Sequence, residues 1–273
     1  ARVIEQRRAA GEEPLTFGMV FPVSCHNYEL RGWMAAAGID PDADVQLTVI
    51  PPPRMVESLR AGRIAGFCVG EPWNQAAVAE GLGRIVATKS DLWSGGPEKV
   101  LGMRADWATA NAEVLTRLLR ALASAARWAD SPDNRLALAR LLARPGYVGA
   151  DEGLILRTLA GRPRLALDIE PPDIPDYHVF HRYAANFPWL SHAEWLVGQM
   201  KRWGQAPADA DARKTAAATF RPDLYRKALV PAGEAAPAED RKDEGVHLEP
   251  YVMPAAGGLA LPMAADARAP GME

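Results

Sequence analysis

Between Thr16 and Leu101 short apolar runs and segments of helical period take turns, and proline or glycine closes nearly every one. Phe17-Gly18-Met19-Val20-Phe21 ends at Pro22. Leu30, Trp33, Met34 and Ala37 then share one helical face, with Gly38 placed to cap its end. Val45, Leu47 and Val49 alternate and stop at Pro51-Pro52-Pro53. A helix carrying Met55, Val56 and Leu59 stops at Gly62, and Ile64 to Val69 reads as a third strand before a helix from Pro72 to Glu80. Further strands are expected over Arg84 to Thr88 and Lys99 to Met103. Parallel strands need long crossovers, so this βαβαβαββ order predicts an α/β fold with a mostly parallel sheet covered on both faces.

After Trp107 the character changes. Asn111 to Trp128 reads as a long helix with Val114, Leu115, Leu118, Leu119, Leu122 and Ala126 on one side. Further helices are expected at Asp133 to Leu142, Asp151 to Leu159, Pro188 to Trp203 and Pro222 to Leu229. Few strand signals accompany them. Beyond Val230 the chain is rich in proline, alanine and glycine and has too little periodic apolar content to fold alone. The expected divisions are 1–13, the end of a helix; 14–102, an α/β lobe; 103–230, a helical return; and 231–273, a tail.

With 273 residues the chain can bury one large or two medium cores. A net charge of -3 and the lack of any lysine–arginine run argue against a nucleic-acid surface. No apolar run reaches the ~18 residues that would span a bilayer. The chain begins at Ala1 without an initiator methionine or a signal-peptide pattern, and is expected to be a fragment lacking its N-terminal part. Cys25 and Cys68 form no CxxC motif and are expected to be free thiols, a usage that fits a reducing compartment.

Three places could carry chemistry. Gly66-Phe67-Cys68-Val69-Gly70-Glu71-Pro72-Trp73-Asn74 leads a strand into a permissive backbone and a helix start, where α/β proteins bind small ligands. Ser24-Cys25-His26-Asn27 opens another helix, whose N–H groups and imidazole suit a small anion. Lys99 follows Gly95-Gly96-Pro97-Glu98 and could aim an ammonium into a cleft. The last two also have ordinary readings: a helix cap with a surface histidine, and an exposed lysine paired with Glu98. Glu71 could be an acidic helix cap, and Trp73 either a pocket wall or core. His178 and His181 form a close pair, yet no second ligand pair completes a zinc site. There is no GxSxG, no P-loop and no GxGxxG after a strand, and neighbours such as Cys25 and His26 make a poor dyad. Catalysis is not indicated.

Taken together, Phe17 to Pro22, Ser24 to Asn27, Val49-Ile50-Pro51-Pro52-Pro53-Arg54-Met55-Val56, Gly66 to Asn74 and Pro97-Glu98-Lys99-Val100-Leu101-Gly102 resemble one group. It is the nitrate-binding branch of the ABC-transporter solute-binding proteins for nitrate, sulfonate and bicarbonate. Phe180-His181-Arg182, Asn186-Phe187 and Ser191-His192 through Trp203-Gly204 continue the likeness over roughly residues 3 to 230. The resemblance implies a type II periplasmic-binding-protein fold: two α/β lobes with ligand in the cleft, the first lobe incomplete here.

It further implies that nitrate or nitrite is held by lobe closure, with His26 and Lys99 as its side-chain partners and Pro52 and Gly70 as backbone contacts. The remaining contacts are expected from the N-terminal part. No metal or cofactor is implied, because the bicarbonate branch carries a calcium-associated acidic side chain where Lys99 stands. Two roles follow. A transport receptor, periplasmic or attached to the inner membrane, would deliver its anion to an ABC permease. A cytoplasmic sensor would hold an RNA-binding antiterminator until nitrate releases it, and Ser24-Cys25-His26-Asn27-Tyr28-Glu29-Leu30-Arg31 and the free thiols resemble the sensors more. The alternatives are a bicarbonate or sulfonate receptor and, in another class, a pyrimidine-cofactor biosynthesis enzyme of the same fold.

Overall fold

The computed structural model describes residues 1–92 and 95–242. These form two compact units: residues 1–92 with 139–177, and residues 95–138 with 178–242. The expected tail lies largely outside the described residues.

In the first unit three strands, β1 (Thr16–Met19), β2 (Gln46–Val49) and β3 (Gly66–Phe67), form a sheet in the order β2-β1-β3. Both pairings are parallel, with Phe17 opposite Leu47 and Gly66, and Gly18 opposite Thr48 and Phe67. Backbone bonds carry the ladder past the regular strands, from Ala65 N to Thr16 O at 2.8 Å and from Cys68 N to Gly18 O at 3.0 Å. Here β1 stops two residues before Phe21, because the chain already turns to start a helix: Ser24 N and Ser24 Oγ both donate to Phe21 O, at 3.1 and 2.7 Å.

Helix α1 (Arg2–Ala9) precedes the sheet, and α2 (Cys25–Ala36), α3 (Met55–Arg60), α4 (Trp73–Ala79) and α5 (Lys89–Leu92) lie between or after its strands. The crossover helices bury what their periodicity promised. Leu30 and Met34 of α2 join Met19 and Val45 in one cluster, and Met55 of α3 joins Ile64 and Val69 in another. Helices α6 (Ala105–Ala110) and α7 (Ala112–Asp130) follow in the second unit. Helices α8 (Arg135–Leu142) and α9 (Glu152–Leu159) come next in the chain.

The two strands expected over Arg84–Thr88 and Lys99–Met103 are absent. Ile85 N makes one ladder-like bond to Leu165 O at 2.8 Å, while Val86 is 71% exposed. Val100 and Leu101 are also exposed, and no neighbouring strand pairs with them among the described residues. Apolar alternation defines a face, but a strand also requires a partner ladder. The compact units also group the chain differently from the divisions at 102 and 103. Residues 95–102 fall with the second unit and 139–177 with the first, where reciprocal bonds between Gln75 and Arg164 tie in the returning segment.

That return depends on Gly161, at the end of α9, with φ +72°; a Cβ there would lie 2.5 Å from Ile174 O. Ile174 N in turn donates to Gly161 O at 2.7 Å. Only glycine combines the left-handed backbone with so close an approach.

The second unit is helical. Helices α10 (Leu190–Arg202), α11 (Ala212–Thr219) and α12 (Pro222–Leu229) complete it. Phe187 meets Trp189 and Tyr225 edge to face, at ring-centre distances of 4.8 and 5.3 Å, in a core shared with Ala123 of α7. At the end of α7 the Asp130 carboxylate accepts from the backbone N–H groups of Phe180, His181 and Arg182 at 3.1, 3.1 and 2.7 Å. It also pairs with the Arg182 side chain. Just beyond, Tyr183 and Ala184 hold φ of 58° and 53°, a left-handed pair without glycine. The face of α7 bearing Val114, Leu118 and Leu122 is exposed, whereas Leu115 and Ala123 are buried.

Gly161→Ala should destabilise the protein by roughly 2–4 kcal/mol, combining left-handed strain with a backbone clash. Urea unfolding measures it. A midpoint equal to that of the parent would show that Ile174 moves away at no cost.

Candidate functional site

Parallel pairing sends all three strand ends to the same edge of the sheet. The segments leaving that edge contain His26 after β1, Pro52 after β2 and Gly70 after β3. Because β1 is central, His26 starts from the middle of the row.

His26 is the second residue of α2. The helix is capped by Ser24, whose Oγ accepts from Asn27 N at 3.2 Å. Asn27 Nδ2 donates to Pro22 O at 2.7 Å, so the turn is held on both sides. The imidazole is 9% exposed, and a Cβ placed on Gly70 would lie 3.8 Å from His26 Nε2. The structure thus brings His26 and Gly70 together across β1 and β3. Pro52 opens a short 3-10 turn, Pro52–Arg54, at the same edge. Two residues further along α2, Tyr28 is 1% exposed, and its hydroxyl is pushed up to about 12, first by burial and then by the neighbouring Cys25.

Lys99 belongs to the second unit. Its side chain is 79% exposed and forms an ion pair with Glu98. Cys25 and Cys68 are free thiols. Trp73 packs against the cluster of Met55, Ile64 and Val69, which makes it core. His178 stacks on Phe180 and is pushed down to about 4 by burial, while His181 Nε2 lies 3.7 Å from Glu234. Among the described residues no group of three or more histidine, cysteine, aspartate or glutamate side chains could hold a metal.

Sequence reading missed a buried polar cluster beside this edge. Glu71 does cap α4, accepting from Gln75 N at 3.2 Å, but its other oxygen accepts from Tyr177 Oη at 2.6 Å, 106 residues away. No local pattern announces such a pair. Burial raises the Glu71 carboxyl above its ordinary value, and donors from Tyr177, Gln75 and Asn74 offset this in part. The Tyr177 hydroxyl is raised as well, by burial and then by Glu71.

A family model described as the NMT1-like family matches residues 1–143. The chain is 35% identical over 261 residues to the nitrate/nitrite binding protein NrtA of Synechococcus elongatus, covering 91% of this chain and 57% of that protein. It is 41% identical over 194 residues to the bicarbonate transport ATP-binding protein CmpC of Synechocystis, covering 70% of this chain and 28% of that one. The crystal structure of the periplasmic nitrate-binding protein NrtA from Synechocystis PCC 6803 superposes with a TM-score of 0.81 at 29% identity, over 88% of this chain and 63% of that one. The chain therefore spans less than two thirds of the length of each of these relatives.

A carboxyl with a raised folded value holds its proton longer in the folded state than in the unfolded chain. The stability this represents is complete below the ordinary value of 4.5 and is lost as pH rises through the elevated value. Glu71→Gln should remove that loss. Urea midpoints measured from pH 4 to 8 should fall for the parent relative to the variant on the alkaline side of 4.5. Parallel curves would mean that Glu71 ionises as easily folded as unfolded.

Proposed function

The chain belongs to the NMT1-like family, and on that membership we propose that the protein binds a small inorganic oxyanion, nitrate or nitrite, as the solute-binding component of an ABC uptake system. The observation that carries this reading is the strand edge, where a buried imidazole lies over Gly70 with a capped helix start beside it. A trigonal monoanion is best met by several N–H donors and one compensating cation, with no acceptor facing it. His26 supplies a ring donor and Gly70 a backbone N–H, Pro52, which has no N–H of its own, marks the turn after β2, and the resemblance implies Lys99 as the compensating charge. The NrtA proteins of two cyanobacteria, named for nitrate binding, support this choice of ligand.

The transport role takes precedence over the cytoplasmic sensor with an antiterminator partner, because the relatives above carry binding-protein and transport names. An ABC permease is then the partner, and the site binds without turnover, unlike a pyrimidine-cofactor enzyme. A bicarbonate receptor is the second reading, favoured by the likeness to CmpC. Lys99 argues against it, since a calcium-associated acidic side chain is expected there in that branch.

Calorimetry should give one nitrate per protein with no consumption of the ligand, and no binding of taurine or bicarbonate. Lys99→Ala should cost about 2–4 kcal/mol of nitrate affinity, the range for removing one partner of a charge-assisted contact, and Lys99→Glu should abolish binding. Affinity within a factor of two of the parent in Lys99→Ala would leave Lys99 as a surface residue paired with Glu98. Bicarbonate heat without nitrate heat would favour the second reading.

A further inference from the structure

Residues 233–242 follow the last helical turn of the second unit, Val230–Ala232, and form no helix or strand of their own. Surface segments of that kind are ordinarily loose. This one is tied along its length. Glu234 pairs with Arg127 of α7, and Ala236 packs against the cluster of Phe187, Trp189 and Tyr225. Arg226 of α12 then takes three successive carbonyls. Its Nε donates to Pro237 O at 2.9 Å, and its Nη2 donates to Ala238 O and Glu239 O at 3.0 and 3.1 Å. Its Nη1 donates to Asp240 Oδ1 at 2.6 Å.

The end of this strap is seated on the first turn of α10. Leu190 N donates to Asp240 O at 2.9 Å, Arg241 pairs with Glu194, and Lys242 N donates to Ser191 Oγ at 3.3 Å. The first of these bonds satisfies an N–H that a helix start leaves without an intrahelical partner. From there the Lys242 side chain passes over the Trp189 ring, with Nζ 5.9 Å from the ring centre, and donates to Gly95 O at 3.1 Å. Gly95, with φ +75°, begins Gly95-Gly96-Pro97-Glu98, the loop that leads into Lys99. Pro97 is buried, whereas the Lys99 side chain is 79% exposed. The loop is thus held at Gly95 and at Pro97, and Lys99 lies two residues beyond the second hold.

We propose that Lys242 is a positioning residue for the nitrate site: by holding Gly95 O it fixes the loop from which Lys99 meets the anion. The inference rests on the reading of Lys99 as the compensating charge. On a free loop, binding would have to order the chain that carries the lysine, and affinity would fall by that entropy. The tie from Lys242 orders the loop before the anion arrives.

Calorimetry on the full chain compares the parent with Lys242→Met, which keeps the stem over Trp189 and removes the donor, and with Lys242→Arg, which restores one. Nitrate affinity should fall about three- to tenfold in Lys242→Met, the equivalent of one net hydrogen bond, and return to within about twofold of the parent in Lys242→Arg. The loss should persist at raised ionic strength, because a loss that salt abolishes reports only a distant charge and would overturn the proposal. Limited digestion with trypsin, read by peptide mass spectrometry in the absence of nitrate, should cut after Lys99 faster in Lys242→Met than in the parent or in Lys242→Arg. Equal rates of cutting would show that Lys242 does not hold the loop. Faster cutting with unchanged affinity would leave Lys242 a structural tie, and a loss that arginine does not restore would separate it from the bond to Gly95; each of these outcomes overturns the proposal. A parent that binds no nitrate would sink the proposed function and this role with it, while the digestion would still report whether Lys242 holds the loop.

Discussion

The parallel ladder that β1 makes with both neighbours decides what the first unit can present to a ligand. Parallel strands share a direction, so their carboxyl ends coincide and their following loops converge. A single antiparallel pairing in this sheet would send one of the three loops to the far side. Here the helix start after β1, the proline turn after β2 and the glycine after β3 emerge side by side. The central position of β1 then explains why the imidazole is the residue that meets a neighbouring loop, with Gly70 leaving it room.

The returning segment, 161–177, fixes that edge from behind. Its bonds place Arg164 against Gln75 of α4 and Tyr177 against Glu71 just before it, so both the start and the middle of that helix are anchored by residues 89 and 106 positions later. Glu71 thereby serves two ends, as an acceptor for a helix N–H and for a phenol. A buried carboxyl with its oxygens engaged in this way restrains the helix start more firmly than a solvated cap does.

Local signals made much of the first unit legible. Period-two and helical-period stretches closed by Pro22, Gly38, Pro51 and Gly62 correspond to β1, α2, β2 and α3 nearly element for element. The capping role of Ser24 also followed from its place before an amphipathic run. What failed to register depends on distant partners. Lys99–Met103 has a strand-like sequence but no ladder to join, and α11 is too rich in alanine to carry an apolar stripe. At the site, His26 and Gly70 were singled out separately, and only the pairing of β1 with β3 brings them into contact. Glu71 and Tyr177, or Gln75 and Arg164, leave no periodic trace, since the bonds that join them span 106 and 89 residues.

The Asp130 knot in the second unit bears on the order of events during folding. Its hydrogen bonds reach across 50 to 52 residues, from the end of a long helix to the Phe180–Arg182 backbone. Such contacts close large loops and cannot form until both ends are near each other, so they belong late on the folding path. Tyr183 and Ala184 adopt their costly left-handed geometry only under that restraint. The loop should therefore be among the last parts of the unit to settle and among the first to let go, a region whose amides exchange ahead of the aromatic core it borders.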